Sequence, residues 1–394
     1  MRLLGLITAL AAATSLAACA ANTPVPVAAT AADPHASHRV YSAAPPAPLR
    51  QGERFVELSM ERPFTPQPPN GGTDEYRCFL VDPELTDAAF ITGSQFLPQN
   101  ADIVHHAIFF RVQPGDVAQA RELDAEEDGD GWTCFGGTGI GSGGTFGQLN
   151  SGASWIAAWA PGGHETLMSA KVGYRMEAGS QLVMQVHYST VALGGAKPAP
   201  DRSGIRLRLA PGTAALAPLQ TTLLPGAVEL PCTSSESGPL CDRENAVLDV
   251  WHRFGTQAGS TVAGLNLLCN GGKTPVPGPV QECDHRVREA GLVYAAAGHM
   301  HLLGRSIKVE LNPGTPKAKV LLDVPVYDFD NQGARPLLTP VRIAKGDNLR
   351  VTCTHDASLR SQLPSLKRLE PRYVVWGEGT SDEMCLGILT WTRP

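Results

Sequence analysis

Short runs of β-branched, aromatic and aliphatic residues, each bounded by turn residues, are the feature that most restricts how this chain can fold. Runs of this kind are typical of β-strands. The 32 prolines and 41 glycines supply many turns between them. Helical periodicity is scarce, and 117–126 is the one short helix that the sequence predicts. The strand-like runs lie at 103–112, 181–188, 205–209, 320–326, 349–353 and 385–391. The pattern predicts an all-β fold built from sandwiches.

Two domains are expected, because the chain that follows its N-terminal segments is longer than one core usually holds. Gly, Pro and Ala cluster at 193–203, between one finished strand and a new one that begins at Ile205. Such a composition is typical of a domain boundary. We therefore predict an N-terminal sandwich at 51–192, a linker at 193–204 and a C-terminal sandwich at 205–394.

The N-terminus has the layout of a secretory signal. Arg2 precedes an apolar run at 3–18 that is too short for a membrane span. Leu16-Ala17-Ala18-Cys19 resembles a bacterial lipobox, which is cut before the cysteine and acylated on its thiol; ordinary cleavage is the alternative. Residues 19–50 are rich in Ala, Pro and Thr and predict a flexible tether. The sequence thus predicts a signal peptide at 1–18 and an exported protein, lipid-anchored in the bacterial envelope at the outer membrane or the periplasmic face.

The cysteine count agrees with export. Of the nine cysteines, Cys19 is the predicted acylation site and eight remain, an even number that suggests four disulfides in an oxidising compartment. None forms the paired Cys-x2-Cys motifs of a structural zinc site. The eight are Cys78, Cys134, Cys232, Cys241, Cys269, Cys283, Cys353 and Cys385. The net charge of −6 is mild and no basic stripe is visible, so nucleic acid is not an expected partner.

Two histidines near the C-terminal end have the spacing of a metal chelate. His299 and His301 are two residues apart on a segment with strand-like flanks, so they point to the same face. A thioether from the distant Met384 would favour Cu(I) over zinc or hard cations. Taken alone, Met384 would be read as core filling, and an isolated His-x-His pair fails to bind metal about half the time.

A second histidine set lies in the first half of the chain and comprises His105, His106 and His187. Adjacent residues on a regular strand face opposite ways, so His105 and His106 can share one metal only at a bulge or a strand end. The alternative is one buried and one exposed histidine. Other histidines lack a paired carboxylate or nucleophile at a recognisable spacing and are read as surface or packing residues: His164, His252, His285 and His355.

These motifs occur in the order found in a known family. From Tyr76 to the C-terminus the chain resembles the copper type II, ascorbate-dependent monooxygenases, the group of peptidylglycine α-hydroxylating monooxygenase and dopamine β-monooxygenase. The segments that carry the resemblance are Asp102-Ile103-Val104-His105-His106, Ala158-Trp159-Ala160-Pro161-Gly162-Gly163, Val183-Met184-Gln185-Val186-His187-Tyr188, Asp201-Arg202-Ser203-Gly204-Ile205, His299-Met300-His301-Leu302-Leu303-Gly304-Arg305 and Thr380-Ser381-Asp382-Glu383-Met384-Cys385.

The resemblance implies two jelly-roll-like sandwiches, each holding one copper, with a solvent-filled cleft between the two metals. In this family the all-histidine copper stores and delivers an electron, and its ligands match His105, His106 and His187. The copper that binds O2 and performs the chemistry has ligands that match His299, His301 and Met384, which are thus the expected catalytic residues. Two coppers per chain and an external reductant such as ascorbate are expected.

The resemblance is weaker at the positions that bind the substrate in the peptide-hydroxylating members of the family. Where the peptide-hydroxylating members have an arginine that grips the substrate carboxylate, this chain has Ala297. Where they carry an asparagine and a tyrosine, it has Leu386 and Ile388. The expected substrate is therefore a small organic molecule without a peptide C-terminal carboxylate.

Cysteine pairing also follows from the resemblance. It implies a Cys353–Cys385 bridge that fixes Met384 beside its copper, and Cys78–Cys134 fits a bridge in the first domain. Cys232–Cys241 and Cys269–Cys283 would close short local loops.

Two functions remain open at this point. One is an exported copper monooxygenase that hydroxylates an organic C–H bond with O2. The other is an envelope lipoprotein that captures or buffers copper without turnover.

Overall fold

The computed structural model describes residues 44–127, 129–141 and 155–394. The predicted signal peptide, the acylation site Cys19 and the tether up to residue 43 lie outside the described residues. No helix among the described residues is long and apolar enough to cross a membrane.

Strands dominate the described part of the chain and confirm the all-β prediction. Each of the six predicted runs overlaps one strand. The strands are Arg54–Ser59 (β1), Asp74–Val81 (β2), Ala89–Leu97 (β3), Val104–Val112 (β4), Trp132–Thr133 (β5), Trp155–Trp159 (β6), Thr166–Leu167 (β7), Val172–Met176 (β8), Gln181–Ser189 (β9), Gly204–Pro211 (β10), Ala217–Gly226 (β11), Glu229–Leu230 (β12), Val280–Arg286 (β13), Gly291–His299 (β14), Gly304–Leu311 (β15), Lys319–Val324 (β16), Arg335–Ile343 (β17), Asn348–His355 (β18), Val374–Val375 (β19) and Cys385–Thr392 (β20).

Helices are short and few in the described ranges. The predicted helix at 117–126 is confirmed, but the expectation that it is the only helix was wrong. The α-helices are Val117–Glu126 (α1), Arg243–Phe254 (α2), Thr256–Asn270 (α3) and Leu359–Gln362 (α4), and single 3-10 turns lie at Pro69–Gly71, Pro114–Asp116, Val191–Leu193 and Pro239–Cys241.

Tertiary packing explains why α3 could not be predicted from its sequence. The helix is rich in Gly, Ser and Thr, which are poor helix formers, and it lacks a regular apolar stripe. Its buried residues Ala258, Val262 and Leu265 belong to the C-terminal core. The Cys269–Cys283 disulfide also ties the end of α3 to β13. Packing and a covalent bond therefore stabilise a helix that local propensity does not favour.

Two layered cores share one long sheet. In the first half, the five-stranded sheet β5-β2-β9-β4-β6 and strands β1, β10, β3 and β8 enclose a core that includes Ile91, Phe109 and Leu207. In the second half, the sheet β13-β18-β15-β16 and strands β11, β20, β14 and β17 enclose a core that includes Val293 and Val351. Strands β1, β10, β3, β8, β11, β20, β14 and β17 are consecutive neighbours in one sheet, so both sandwiches are built on it.

The junction between the two halves is a short parallel contact. Strands β8 and β11 pair only at Val172 with Ala217 and at Gly173 with Pro218. All described residues nevertheless belong to one compact unit. Strand β10, which follows the predicted linker at 193–204, pairs with β1 and β3. The boundary itself stays a prediction.

All four expected disulfides are formed. Their sequence separations are 56 residues for Cys78–Cys134, 9 for Cys232–Cys241, 14 for Cys269–Cys283 and 32 for Cys353–Cys385. The last bridge joins β18 to the first residue of β20, immediately after Met384. It therefore anchors the strand end that follows the predicted thioether ligand.

Candidate metal centre

A β-bulge in β4 brings the two adjacent histidines together. Val104 pairs with Tyr188 and His106 pairs with His187 across β9, which leaves one extra residue, His105, between two matched pairs. A bulge reverses the normal alternation of side chains at this point. Potential ligand atoms of His105, His106 and His187 all lie within 4.8 Å of one another. The bulge that two adjacent histidines need in order to share a metal is therefore present, and the ligand atoms of the first predicted histidine set lie close together.

The orientation of His187 is fixed by a buried carboxylate. Its Nε2 lies 2.9 Å from Asp74 Oδ1, and neither side chain is appreciably exposed. Burial alone would raise the pKa of Asp74, but the hydrogen bond and charge of His187 and a hydrogen bond from Thr380 hold it at about 2. The carboxylate therefore accepts the Nε2 proton. Nδ1 of His187 is left buried with no hydrogen-bond partner, and its lone pair is available to a metal.

Tyr76 supports the same histidine set from β2. Its ring stacks on His187 with centroids 4.1 Å apart and planes 12° apart. Its hydroxyl donates to the backbone oxygen of Glu378 at 2.8 Å and also lies 3.4 Å from His106 Nε2. Because the Tyr76 hydroxyl donates its hydrogen bond to the backbone oxygen of Glu378, the hydroxyl oxygen can only accept a hydrogen bond from His106. This contact places the proton of His106 on Nε2 and leaves Nδ1 for a metal.

The second histidine pair is oriented in the same way. His301 Nδ1 lies 3.1 Å from the backbone oxygen of Asp382 and must donate to it, so Nε2, which is buried without a partner, carries the lone pair. His299 Nδ1 lies 2.6 Å from Gln332 Oε1. The amide nitrogen of Gln332 donates to Phe329 O at 2.7 Å, which identifies the oxygen as the atom facing His299. In each of these two rings, Nδ1 is held by a hydrogen bond and Nε2 is available to a metal.

Glu383 is the buried anchor of this half of the site. Its side chain is fully buried and its carboxylate accepts the backbone N–H groups of His301 at 2.8 Å, Leu303 at 2.6 Å and Met384 at 3.2 Å. Burial alone would raise the pKa of Glu383, but the hydrogen bonds from His355 and the His301 amide keep it below its ordinary value. Met384 itself is buried, at 6% exposure. The Glu383 carboxylate therefore links the segment that carries Met384 to the backbone of His301 and Leu303.

The two histidine sets adjoin each other. The ring centroids of His106 and His299 are 5.6 Å apart, and those of His105 and His301 are 6.4 Å apart. Within each set the rings are separated by 4.6 to 5.4 Å, so the distance between the sets is hardly larger. The resemblance implied a solvent-filled cleft between two sites. In the described residues, the five rings instead form one continuous group, which we call the five-histidine cluster.

The cluster fits a metal with nitrogen ligands. Burial, together with nearby imidazoles, lowers the pKa of His106 well below its usual range and that of His299 to about 3, so both rings are neutral at pH 7. A buried polar atom without a partner costs about 1–3 kcal/mol. The unpartnered nitrogens of His187 and His301 are therefore best explained as ligand atoms. Neutral imidazoles suit copper, zinc, iron and nickel, and only a thioether from Met384 would narrow the choice to copper.

The metal-free protein is expected to lose stability in mild acid. Burial lowers the pKa of His106, His187 and His299 below the ordinary 6.5, so the unfolded chain binds protons below that pH that the folded chain does not. Glu378 acts the opposite way between about 4.5 and 7, because burial raises its pKa to about 7. With His285, whose pKa burial lowers to about 4, the lowered histidines outnumber Glu378, so the free energy of unfolding should fall as the pH drops below 6.5. Each extra proton bound by the unfolded chain contributes about 1.4 kcal/mol per pH unit.

Urea unfolding of chelator-treated protein at several pH values measures this slope. Stability that is unchanged or higher at about pH 5 than at about pH 7 would show that these rings are charged in the folded state.

Several supporting residues were not predicted from the sequence. They are Asp74, Tyr76, Gln332, Asp382 and Glu383. Asp382 and Glu383 lie in the segment that carries Met384, but their side chains gave no separate signal. Asp74 and Tyr76 are two residues apart on β2, which would place them on one face, yet nothing in the sequence links β2 to a histidine. His355, read as a packing or surface residue, is buried with Nε2 3.5 Å from Glu383 Oε2.

Apolar residues flank His299 on β14 and β20. Ala297 pairs with Ile388, and His299 pairs with Leu386, across β14 and β20. Leu386 is only 2% exposed. These three side chains offer no charge and no hydrogen bond beside His299.

Comparisons with solved structures give only low similarity. Allantoicase shares 9% identity over 87% of this chain and 90% of that chain, with a TM-score of 0.20. A xanthan lyase from Paenibacillus shares 10% identity over 83% of this chain and 23% of that chain, with a TM-score of 0.19. The VP2 subviral particle of infectious bursal disease virus shares 6% identity over 90% and 75% of the two chains, with a TM-score of 0.18. Scores this low bear on neither fold nor function.

No curated protein matches the chain by sequence comparison. A family match is found in the half that contains His299, His301 and Met384. Residues 279–392 match the family described as "Copper type II ascorbate-dependent monooxygenase, C-terminal domain".

Proposed function

We propose that the protein is a copper-dependent monooxygenase that hydroxylates an organic C–H bond with O2 and an external reductant such as ascorbate. The observation that carries the proposal is the convergence of five buried or half-buried imidazoles in a chain whose residues 279–392 match the family. The overall reaction consumes O2, two electrons and two protons, and forms the alcohol and water.

Copper, when bound, supplies one-electron redox chemistry and reactivity toward O2. His105, His106 and His187 would hold one ion, through a ligand set of imidazoles only. His299, His301 and Met384 would hold the second ion, and a soft thioether stabilises the reduced state. The role of the protein is to keep these side chains in position, to which Asp74, Tyr76, Gln332 and Glu383 contribute by hydrogen bonds.

The substrate is proposed to be a small organic molecule that lacks a peptide C-terminal carboxylate. Support comes from the three apolar residues beside His299, namely Ala297, Leu386 and Ile388. Leaving a buried carboxylate without a partner is costly, so an anionic group would be rejected at this wall. A neutral apolar substrate has no such cost.

A second function is favoured by the burial of the cluster. His187 and His301 are fully buried, and His105 and His106 are 5% and 7% exposed. A site so shielded could retain copper without turning over a substrate. The alternative proposal is therefore a copper-binding envelope lipoprotein that captures or buffers the metal.

One experiment separates the two functions. Purified protein loaded with copper is supplied with ascorbate, O2 is followed with an electrode, and a panel of neutral organic substrates is screened for hydroxylated products. The monooxygenase requires O2 uptake above that of free copper, together with a product. His187→Ala should abolish uptake, whereas His164→Ala, at an exposed position outside the cluster, should not. Tight copper retention without uptake or product would support the buffering protein instead.

We also propose that the mature chain is anchored through a lipid on Cys19 at the outer membrane or the periplasmic face. The support is the lipobox-like sequence before this residue. Wild-type protein should incorporate a labelled fatty acid and partition into the membrane fraction, and Cys19→Ala should do neither. Equal partitioning of the two proteins would rule out the anchor.

A further inference from the structure

A crevice outside the metal centre lies between β2 and the corner that joins α2 to α3. One wall comes from the 3-10 turn Pro69–Gly71 and the start of β2, and the other comes from residues 252–255. Its volume is about 390 Å³, and small-molecule sites typically measure about 300–1,000 Å³. In the described part of the chain, the residues that line it include none of the six predicted metal ligands. It is therefore a separate cavity, which we call the Glu75 crevice.

Glu75 places a buried carboxylate in this crevice. The residue lines the cavity and is only 7% exposed. Its Oε2 accepts the backbone N–H of Gln67, whereas Glu75 forms no ion pair with any described residue. Arg77, whose charge acts on Glu75 from a distance, forms its ion pair with Glu127 instead. Burial raises the pKa of Glu75 above its ordinary value, because the charged carboxylate is poorly solvated and lacks a cationic partner.

The arginine that lines the same crevice cannot serve as that partner. Arg253 donates from Nε to Asp249 at 2.8 Å and from its two terminal nitrogens to Asp382 at 3.0 and 2.6 Å. Its charge is thus already matched by two carboxylates, one of which also accepts from Arg372. The negative charge of Glu75 therefore stays unbalanced, and an anionic ligand would be repelled.

Two aromatic rings form the apolar part of the crevice. Phe135 and Phe254 both line it and pack edge to face, with ring centroids 5.2 Å apart. Pro69 adds a third apolar surface. Aromatic rings attract organic cations, whereas a hard metal ion needs several oxygen ligands. One uncompensated carboxylate beside two rings therefore suits a cation with an apolar body better than a metal ion.

We propose that the Glu75 crevice binds a small organic cation, namely a primary ammonium ion with an apolar or aromatic body. The ammonium group donates to the Glu75 carboxylate, and the body packs on Phe135 and Phe254. The proposal goes beyond the proposed function and needs no copper, because none of these contacts involves a predicted metal ligand. The crevice nevertheless adjoins the metal centre, since the Phe135 ring lies 5.6 Å from the Tyr76 ring that stacks on His187.

The test measures the binding of three probes that share one ring and differ in charge: benzylamine, benzyl alcohol and benzoate. Each is titrated into the full mature chain by isothermal calorimetry near pH 7, after treatment with a chelator. One benzylamine should bind per chain, at least about tenfold more tightly than benzyl alcohol, because a hydrogen bond to a charged group is stronger. Benzoate should not bind. Copper-loaded protein should bind benzylamine with the same affinity, since the crevice holds no metal.

Two variants locate the bound amine. Glu75→Gln keeps the shape and an acceptor for the Gln67 N–H but removes the charge, so benzylamine should bind at least about tenfold more weakly and benzyl alcohol should be unaffected. Gln67→Trp, at an exposed position on the rim, should fill the crevice and block both probes. Glu57→Gln is the control, because it removes the same charge from an exposed carboxylate that pairs with Arg206 outside the crevice. Its affinity should equal that of wild type.

Several results would overturn the site. They are the absence of benzylamine binding, equal affinity for benzylamine and benzyl alcohol, binding only in the presence of copper, and wild-type binding by Glu75→Gln. An equal loss in Glu57→Gln would show general attraction to an acidic chain and overturn it too. If Glu75→Gln does not fold, Gln67→Trp decides, because undiminished binding there places the amine elsewhere. None of these results depends on O2 uptake, so this inference and the monooxygenase can fail separately.

Discussion

Replacement of Met384 by leucine is expected to leave the protein folded but to weaken copper binding at the second site by more than about 100-fold, because the loss of even an outer-shell partner costs 10–100-fold. Met384 is buried among the C-terminal core residues, and its backbone N–H is bound by Glu383. Leucine has a similar volume, so the change in the free energy of unfolding should stay below about 1.5 kcal/mol. The substitution thus removes the sulfur while keeping an apolar side chain of similar volume.

The measurement is a competition of the reduced protein with a Cu(I) chelator, paired with O2 uptake in the presence of ascorbate. One copper should be lost to the chelator far more readily than in wild type, and uptake should collapse. Met176→Leu makes the same chemical change at a fully buried position on β8 and should alter neither quantity. If Met384→Leu retains both coppers with wild-type affinity, the thioether is core filling, as the simplest reading of the sequence allows.

Replacement of Glu383 by alanine is expected to be the most destabilising change at the site. It would leave the N–H groups of His301, Leu303 and Met384 buried without their acceptor. Each orphaned group costs about 1–3 kcal/mol, so the loss of one acceptor for all three should lower the free energy of unfolding by about 3–9 kcal/mol. Glu383→Gln keeps the shape and one acceptor oxygen but turns an N–H toward a donor, and should cost roughly half as much.

Denaturant unfolding of the metal-free proteins measures these losses, and copper content reports their effect on the site. The order of stability should be wild type, then Glu383→Gln, then Glu383→Ala, and the variants should lose the copper of His299 and His301 before that of the first set. An alanine variant as stable as wild type would show that water replaces the carboxylate, and would remove Glu383 from the support of His301.

The sequence reveals the parts of this molecule whose signals are local. Strands β4, β9 and β20 are visible as apolar runs because alternation and β-branched residues reflect the strand itself. The need for a bulge at His105 also follows from local geometry, since two neighbouring residues cannot otherwise share a face. Helix α3 is not visible, because packing against the C-terminal core, and not its own periodicity, holds it. Helix α2 does carry local signals, since its buried residues Ala246, Val250 and Phe254 recur at helical spacing after the N-cap Asp242.

The contacts that shape the metal centre join residues far apart in the sequence, so local sequence patterns could not predict them. Asp74 and Thr380 are separated by 306 residues, and Tyr76 and Glu378 by 302. No pattern in a single sequence states which strand ends will meet at such a separation. The candidate ligands are therefore predictable as residue types with suitable spacing, whereas the closeness of the two sets depends on how the sheets are stacked.

The bulge at His105 makes the first histidine set sensitive to the deletion of one residue from β4. Residues 106–112 pair with β9 in regular register, and Val104 pairs again on the other side of the extra residue. Deleting one residue here would restore an unbroken strand with every backbone bond intact, so the sheet would tolerate it. The histidine set of the first half would then lose its shared face, and its metal site would be lost from a protein that still folds. The deletion of a single codon could thus leave a folded β-sandwich that no longer binds a metal at its first site.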